Sequence, residues 1–151
     1  MMMLLVALWL GLSGLVNQST SALAGVWVRE SAARPALDDA APTWEDITVD
    51  ATQVTIRRSA RPQVTEVYPF DGVERSIVRV RQNRFCRAGW NDSTLVLDCR
   101  ELDGGPGGGA PPIITREMRS IDLNGRMVLE TRWSSGEQVV TRRERYRRQQ
   151  Q

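Results

Sequence analysis

A chain of 151 residues with a net charge of +2 suits one domain and is too weakly charged to suggest a nucleic-acid partner. All 20 basic residues are Arg, with no Lys and no His. That removes the usual neutral-pH general base, the commonest metal ligand and any Schiff-base lysine. No catalytic residue, metal or cofactor is therefore expected. Paired carboxylates suited to glycoside hydrolysis occur in any β protein, and nothing here selects one pair.

Residues 1–24 read as a signal peptide. Met1 to Val16 is almost wholly apolar, Asn17 to Ser21 breaks the run, and Ala22-Leu23-Ala24 offers small residues three and one before a scissile bond. Cleavage is expected after Ala24. The run is too short for a membrane span and contains Gly11 and Gly14. Only the terminal amine supplies positive charge ahead of it. The mature domain, 25–148, is then periplasmic or secreted, with 149–151 a frayed tail.

From Gly25 onward the dominant signal is two-residue alternation broken by turn residues every ten or so positions, the mark of a sandwich or barrel. Gly25 to Glu30 is the first strand. A short turn at 34–41 is the sole helix candidate. Asp38, Asp39, Glu45 and Asp46 lack the ligand spacing of a cation loop and read as solvated acids.

Asp46 to Arg57 forms a hairpin in which Val49 faces Val54 and Ile47 faces Ile56, with Thr48 and Thr55 on the other side. Gln63 to Phe70 turns at Asp71-Gly72 into Glu74–Arg81.

Next come Arg84 to Trp90 and Leu95 to Arg100, joined through polar Asn91 to Thr94. Symmetric folding sets Trp90 against Leu95, Ala88 against Leu97 and Cys86 against Cys99, all on one face. A one-residue slip would ruin both the binary pattern and the cysteine placement. Opposed residues lie within disulfide range, so a Cys86–Cys99 bond is expected. A two-residue loop makes the cysteines a non-hydrogen-bonded pair, and a four-residue loop reverses that; the sequence leaves both open.

The stretch 102–112, with five Gly and three Pro, reads as a flexible loop. Asn124-Gly125 marks the last clear hairpin. A two-residue loop there pairs Arg119 with Glu130 and Glu117 with Arg132 on a solvent face. It leaves Met118, Ser120, Met127, Leu129 and Trp133 for the core. The charged face argues against an outer-membrane barrel, whose lipid-facing positions are apolar. The final strand, Glu137 to Arg147, reads as a charged edge strand, since edge charge blocks aggregation. Its alternative use is binding to an anionic envelope surface.

The expected architecture is all-β: a single antiparallel up-and-down meander of about eight to ten strands forming a lipocalin-like barrel or strongly curved sheet. Gly25-Val26-Trp27 resembles the G-x-W opening of the lipocalin and calycin group. There, the resemblance implies, the Trp closes one barrel end against an Arg of the last strand, for which Arg142, Arg143 and Arg145 are the candidates. The chain also resembles small secreted bacterial proteins of uncharacterised role with lipocalin-like meanders. The matching features are Trp27 and Ser31, and the turn-then-apolar-strand pattern of Thr52–Ile56, Trp90–Leu97 and Leu123–Leu129.

The function this implies is non-enzymatic binding. The partner is a small apolar ligand on an inward face of Trp27, Trp90, Leu95, Leu97, Met118, Leu129 and Trp133. An envelope protein is the alternative partner, as for a periplasmic protease inhibitor. Neither nucleic acid nor stable membrane insertion after leader removal is expected.

Overall fold

The computed structural model describes residues 22–30, 43–59, 63–79, 82–102 and 111–150. The bulk of the leader, the turn at 34–41 with Asp38 and Asp39, and 103–110 of the Gly/Pro loop lie outside them.

The described chain forms ten antiparallel strands. These are β1 (Gly25–Arg29), β2 (Trp44–Val49), β3 (Gln53–Arg58), β4 (Val64–Pro69) and β5 (Arg75–Arg79), then β6 (Gln82–Asn91), β7 (Thr94–Leu102), β8 (Ile113–Ile121), β9 (Met127–Ser135) and β10 (Gln138–Arg148). They make one sheet in the order β4-β3-β2-β1-β10-β9-β8-β7-β6-β5. The first and last strands thus pair with each other. The two free edges are β4 and β5, and β4 lies against β6, so the sheet curls into a nearly closed barrel.

Two hairpins form in the register read from alternation. Ile47 faces Ile56 and Val49 faces Val54, with Ile47, Val54 and Ile56 buried. Trp90 faces Leu95, Ala88 faces Leu97 and Cys86 faces Cys99. The loop ambiguity resolves to two residues, because Asn91 pairs with Thr94 and Asp92 takes a positive φ of 51°. Cys86 and Cys99 form the disulfide with Cα atoms 4.1 Å apart, the close spacing of a non-hydrogen-bonded pair.

The third hairpin departs from expectation by one residue. Ile121 faces Met127, Arg119 faces Leu129 and Glu117 faces Thr131, so neither Arg119–Glu130 nor Glu117–Arg132 forms. The cause lies in the turn. The Asp122 carboxylate accepts the backbone N–H of Asn124 at 2.9 Å and of Arg126 at 3.0 Å, while the Asp122 N–H donates to the Arg126 carbonyl. This draws Leu123-Asn124-Gly125 into a three-residue loop, with Gly125 at φ 73° taking the left-handed position such loops require.

On β9, Met127 and Leu129 are buried and face inward as expected. The extra loop residue turns β8 over relative to them. Glu117 and Arg119 point into the barrel, and Met118 points out beside Glu130.

Three further expectations are corrected. β10 is not the edge of the sheet: it lies between β9, paired over Gln138–Tyr146, and β1, paired over Tyr146–Arg148. The arginine against Trp27 is Arg148, its guanidinium 4.7 Å from the ring centroid. Trp27 stands opposite Arg148 in the ladder, whereas Arg142 faces inward several residues away and Arg143 and Arg145 face outward. Finally, Glu45 is no solvated acid but wholly buried, while Asp46 on the outer face pairs with Arg57 at 2.7 Å.

Candidate functional site

The barrel interior has three zones. One end is closed by Trp27, whose indole N–H donates to the Leu23 carbonyl at 2.8 Å. Arg148 covers the ring and donates to the Ala22 carbonyl. Leu23, on the leader side of the expected cut, is itself buried.

Around this cap Ile47, Leu95, Leu97, Met127, Leu129 and Tyr146 form the apolar core. Trp90 is half-buried against that core, tilted on Phe70 with ring centroids 5.9 Å apart. Trp133, on the inner face of β9 opposite Thr115, is also half-buried. Beside it on β10 is Val140, 61% exposed although it occupies an inward position, so this end of the barrel is open.

Of the residues expected to line the interior, Trp27, Leu95, Leu97 and Leu129 are buried together. Trp90 and Trp133 sit toward its margins. Met118 is on the outer wall.

The middle zone is a charge cluster. Arg119, wholly buried, donates from Nε and Nη2 to the two oxygens of Glu45 at 2.9 and 2.8 Å. It also donates from Nη2 to Glu117 at 2.9 Å. Arg58 grips Glu117 with both terminal nitrogens, at 3.2 and 2.7 Å, and its Nε lies 3.4 Å from Glu45 and 3.6 Å from Glu66. Arg84 adds a bond to Glu117 at 3.3 Å and touches the Cys99 sulfur at 3.3 Å. Three buried arginines thus balance three buried glutamates.

Burial opposes ionisation of Glu117, but attraction to Arg58, Arg119 and Arg84 outweighs it and holds the carboxyl well below its usual range. Burial likewise disfavours the Arg119 charge, and Glu45 and Glu117 overcome it, keeping that group protonated. Burial raises both tyrosines: Tyr68 beside Glu66, and Tyr146 beside Glu45.

The cluster is a structural lock more than a reactive centre. Its central carboxylate is ionised and engaged on both oxygens, so it holds no proton to give at neutral pH and has little tendency to take one. Its carboxylates face guanidinium groups rather than one another, which does not suit a cation. Among the described residues no group of three or more Cys, Asp or Glu is arranged to hold a metal. Four buried donors, Arg58 Nε, Arg84 Nε, Tyr68 Oη and Arg119 Nη1, have no hydrogen-bond partner among the described residues; of these, Arg58 Nε and Arg84 Nε lie 3.4 and 3.7 Å from the carboxylates of Glu45 and Glu101.

The sequence reading missed this cluster although alternation pointed to half of it. Continuing the inward parity of Ile47 and Ile56 by two positions reaches Glu45 and Arg58. Continuing that of Cys86 reaches Arg84. Glu117 and Arg119 were hidden by the loop length alone.

The grooves on the described surface lie outside the barrel. One of about 500 Å³ runs over β7 to β9 beside Arg87, Asp98, Arg100, Arg116 and Arg132. A second of about 400 Å³ adjoins Gly89, Val96 and Met118.

No protein-family model and no curated protein sequence matches the chain. Among solved structures it is similar to a protein described as a "secretary abundant heat soluble (SAHS) protein" from Ramazzottius varieornatus. The TM-score is 0.55 at 11% identity, over 85% of this chain and 96% of that one. At that identity the likeness speaks for the fold. The chain has an all-β lipocalin-like barrel of the SAHS kind, carrying a disulfide, an architecture compatible with a binding module and with an extracellular setting.

Proposed function

We propose that this chain is an exported, non-enzymatic binding module whose barrel receives a small, largely apolar ligand in the periplasm or outside the cell. The observation that carries the reading is the inner face itself. Trp27, Leu95, Leu97 and Leu129 are sealed at one end, and at the other Trp133 is half-buried and Val140 exposed. The unsatisfied donors of Tyr68 and Arg119 favour a ligand that brings one acceptor with its apolar body, because a buried donor without a partner is costly. The absence of His and Lys and the tied carboxylates favour binding over chemistry. The leader and the disulfide favour an oxidising compartment.

Tryptophan fluorescence titrated with fatty alcohols and fatty acids of graded length tests this. Saturable quenching is expected, reduced in Trp133→Phe. No saturable response in any series would remove the reading.

A second reading, protein recognition of the kind shown by protease inhibitors, is favoured by the outer-wall grooves next to Met118 and Arg116. It predicts a partner retained from the native envelope by the wild-type chain and lost with Met118→Glu. Retention by both chains would count against that surface.

A further inference from the structure

The outer wall of β8, β9 and β10 is strongly basic. In register across the three strands run Ile114–Ser134–Val139, then Arg116–Arg132–Thr141, Met118–Glu130–Arg143 and Ser120–Val128–Arg145. Arg147 completes the β10 column beside Val28 of β1.

Arg132, Arg143, Arg145 and Arg147 are exposed, as is Arg116, which holds Asp98 at 2.6 Å. No ion pair joins Arg132, Arg143, Arg145 or Arg147 to a described residue, although the charge of Arg145 acts on Asp122. Five arginines against Glu130 give this wall +4, whereas the whole chain carries +2. The remainder of the molecule is therefore net acidic.

Such a wall needs an explanation. Like charges directly opposed across strands, as Arg116 and Arg132 are, destabilise a sheet. Protection of a free edge does not account for Arg132, Arg145 or Arg147: Arg132 is paired on both sides, Arg147 stands opposite Val28, and the Arg145 carbonyl accepts the Glu30 N–H. Side chains alternate along a strand, so Arg143, Arg145 and Arg147 stand about 7 Å apart in a line. All are guanidinium groups, which bind phosphate oxygens two at a time.

The line ends in an apolar rim. Val139 and Val140 are 49% and 61% exposed, and neighbouring Ile113 and Ile114 are 42% and 41% exposed. Aliphatic side chains beside a basic surface are the combination that holds a protein at a lipid interface, the first entering the headgroup boundary and the second meeting anionic headgroups. A nucleic acid would make no use of the aliphatic rim, and this wall offers no row of stacking aromatics.

We infer that the β8–β10 wall docks peripherally on an anionic phospholipid surface, through Arg132, Arg143, Arg145 and Arg147 with Val139 and Ile114 at the headgroup boundary. The contact is superficial: a wall bearing five arginines rests on a bilayer and does not span it. The inference is independent of what the barrel interior holds.

Flotation of the full chain with vesicles tests it, comparing phosphatidylcholine alone with phosphatidylcholine mixed with phosphatidylglycerol. The apolar leader carries no charged side chain, and its single terminal amine is common to the wild type and every variant, so differences among them report on the wall. Binding about ten-fold or more stronger to the mixed vesicles is expected, lost in high salt.

Replacing Arg132, Arg143, Arg145 and Arg147 by Gln should remove the preference. The same number of changes at Arg57, Arg75, Arg87 and Arg126 should leave most of it. Ile114→Ser with Val139→Ser should weaken binding several-fold without altering its salt dependence. Circular dichroism and melting confirm that each variant is folded; a variant that fails to fold is replaced by the corresponding single substitutions.

Equal binding to both vesicle types, or a preference surviving in the four-arginine variant, overturns the proposal. So does equally tight binding of soluble heparin combined with no effect of the Ile114 and Val139 changes, which would make the wall a general polyanion surface.

Discussion

Arg119→Met tests the interior most directly. The native side chain is wholly buried and makes three charge-assisted hydrogen bonds, two to Glu45 and one to Glu117, at 2.8 to 2.9 Å. Methionine fills similar volume but leaves Glu45, itself wholly buried, with Arg58 Nε at 3.4 Å as its remaining close cation. Stranding one member of a buried ion pair is destabilising by about 3–5 kcal/mol, so the thermal midpoint should fall by about 10–20 °C for a domain of this size.

The companion variant Arg119→Met/Glu45→Leu removes both charges. It should recover most of that loss, because apolar replacement of a whole buried pair is close to neutral. The recovery is read as a coupling energy in a double-mutant cycle.

Acid sensitivity supplies a second readout. The folded-state pKa of Glu117 is depressed from 4.5, so its contribution to stability is complete above that value and is lost as pH falls below it. Loss of Arg119 weakens the depression, and the acid limb of the stability curve should move to higher pH. Urea unfolding followed by tryptophan fluorescence across pH measures all three. A single variant within about 1 kcal/mol of wild type, or a double variant no more stable than the single, would refute this account of the cluster.

Both tyrosines of the chain should resist alkaline titration. Burial raises the folded-state pKa of Tyr68 and Tyr146 from 10.0, so their stabilising effect holds below pH 10 and is lost as pH climbs past it. Phenolate absorbance should rise only together with unfolding; a normal titration in the folded protein would contradict their burial.

A domain beginning at Gly25 should be about 3 kcal/mol less stable than one beginning at Ala22, since it loses buried Leu23 and the acceptor of the Trp27 indole. Equal melting would show that cap to be dispensable.

Cys86→Ser should lower stability by about 3 kcal/mol, the chain-entropy value for a closed loop of this length, without abolishing the fold. An unchanged melt under reductant would mean that the bond contributes nothing.

Alternation was enough to establish the β class, the disulfide and two registers, because in those hairpins apolar residues and cysteines agree on one face and a slip would expose all of them at once. Pairs such as Ile47–Ile56 and Cys86–Cys99 are local in sequence and carry their own cross-check. The Asn124-Gly125 hairpin had no such check. Its pattern fitted a two-residue loop with a charged solvent face, and Asp122 selected the longer loop through two backbone hydrogen bonds.

What only the tertiary structure decided is long-range. Glu45 lies 74 residues from Arg119 and Arg58 lies 59 from Glu117, so a charged residue at an inward position has no visible partner until the sheet curls. The placement of β10 between β1 and β9 has the same origin: sequence order puts it last, while closure puts it in the middle. A strand that looks like a guarded edge is therefore an interior strand of the sheet whose arginines remain on the surface. Local side-chain chemistry determines which face of a strand is which. Barrel closure determines what those faces meet, because it joins segments that share no neighbourhood along the chain.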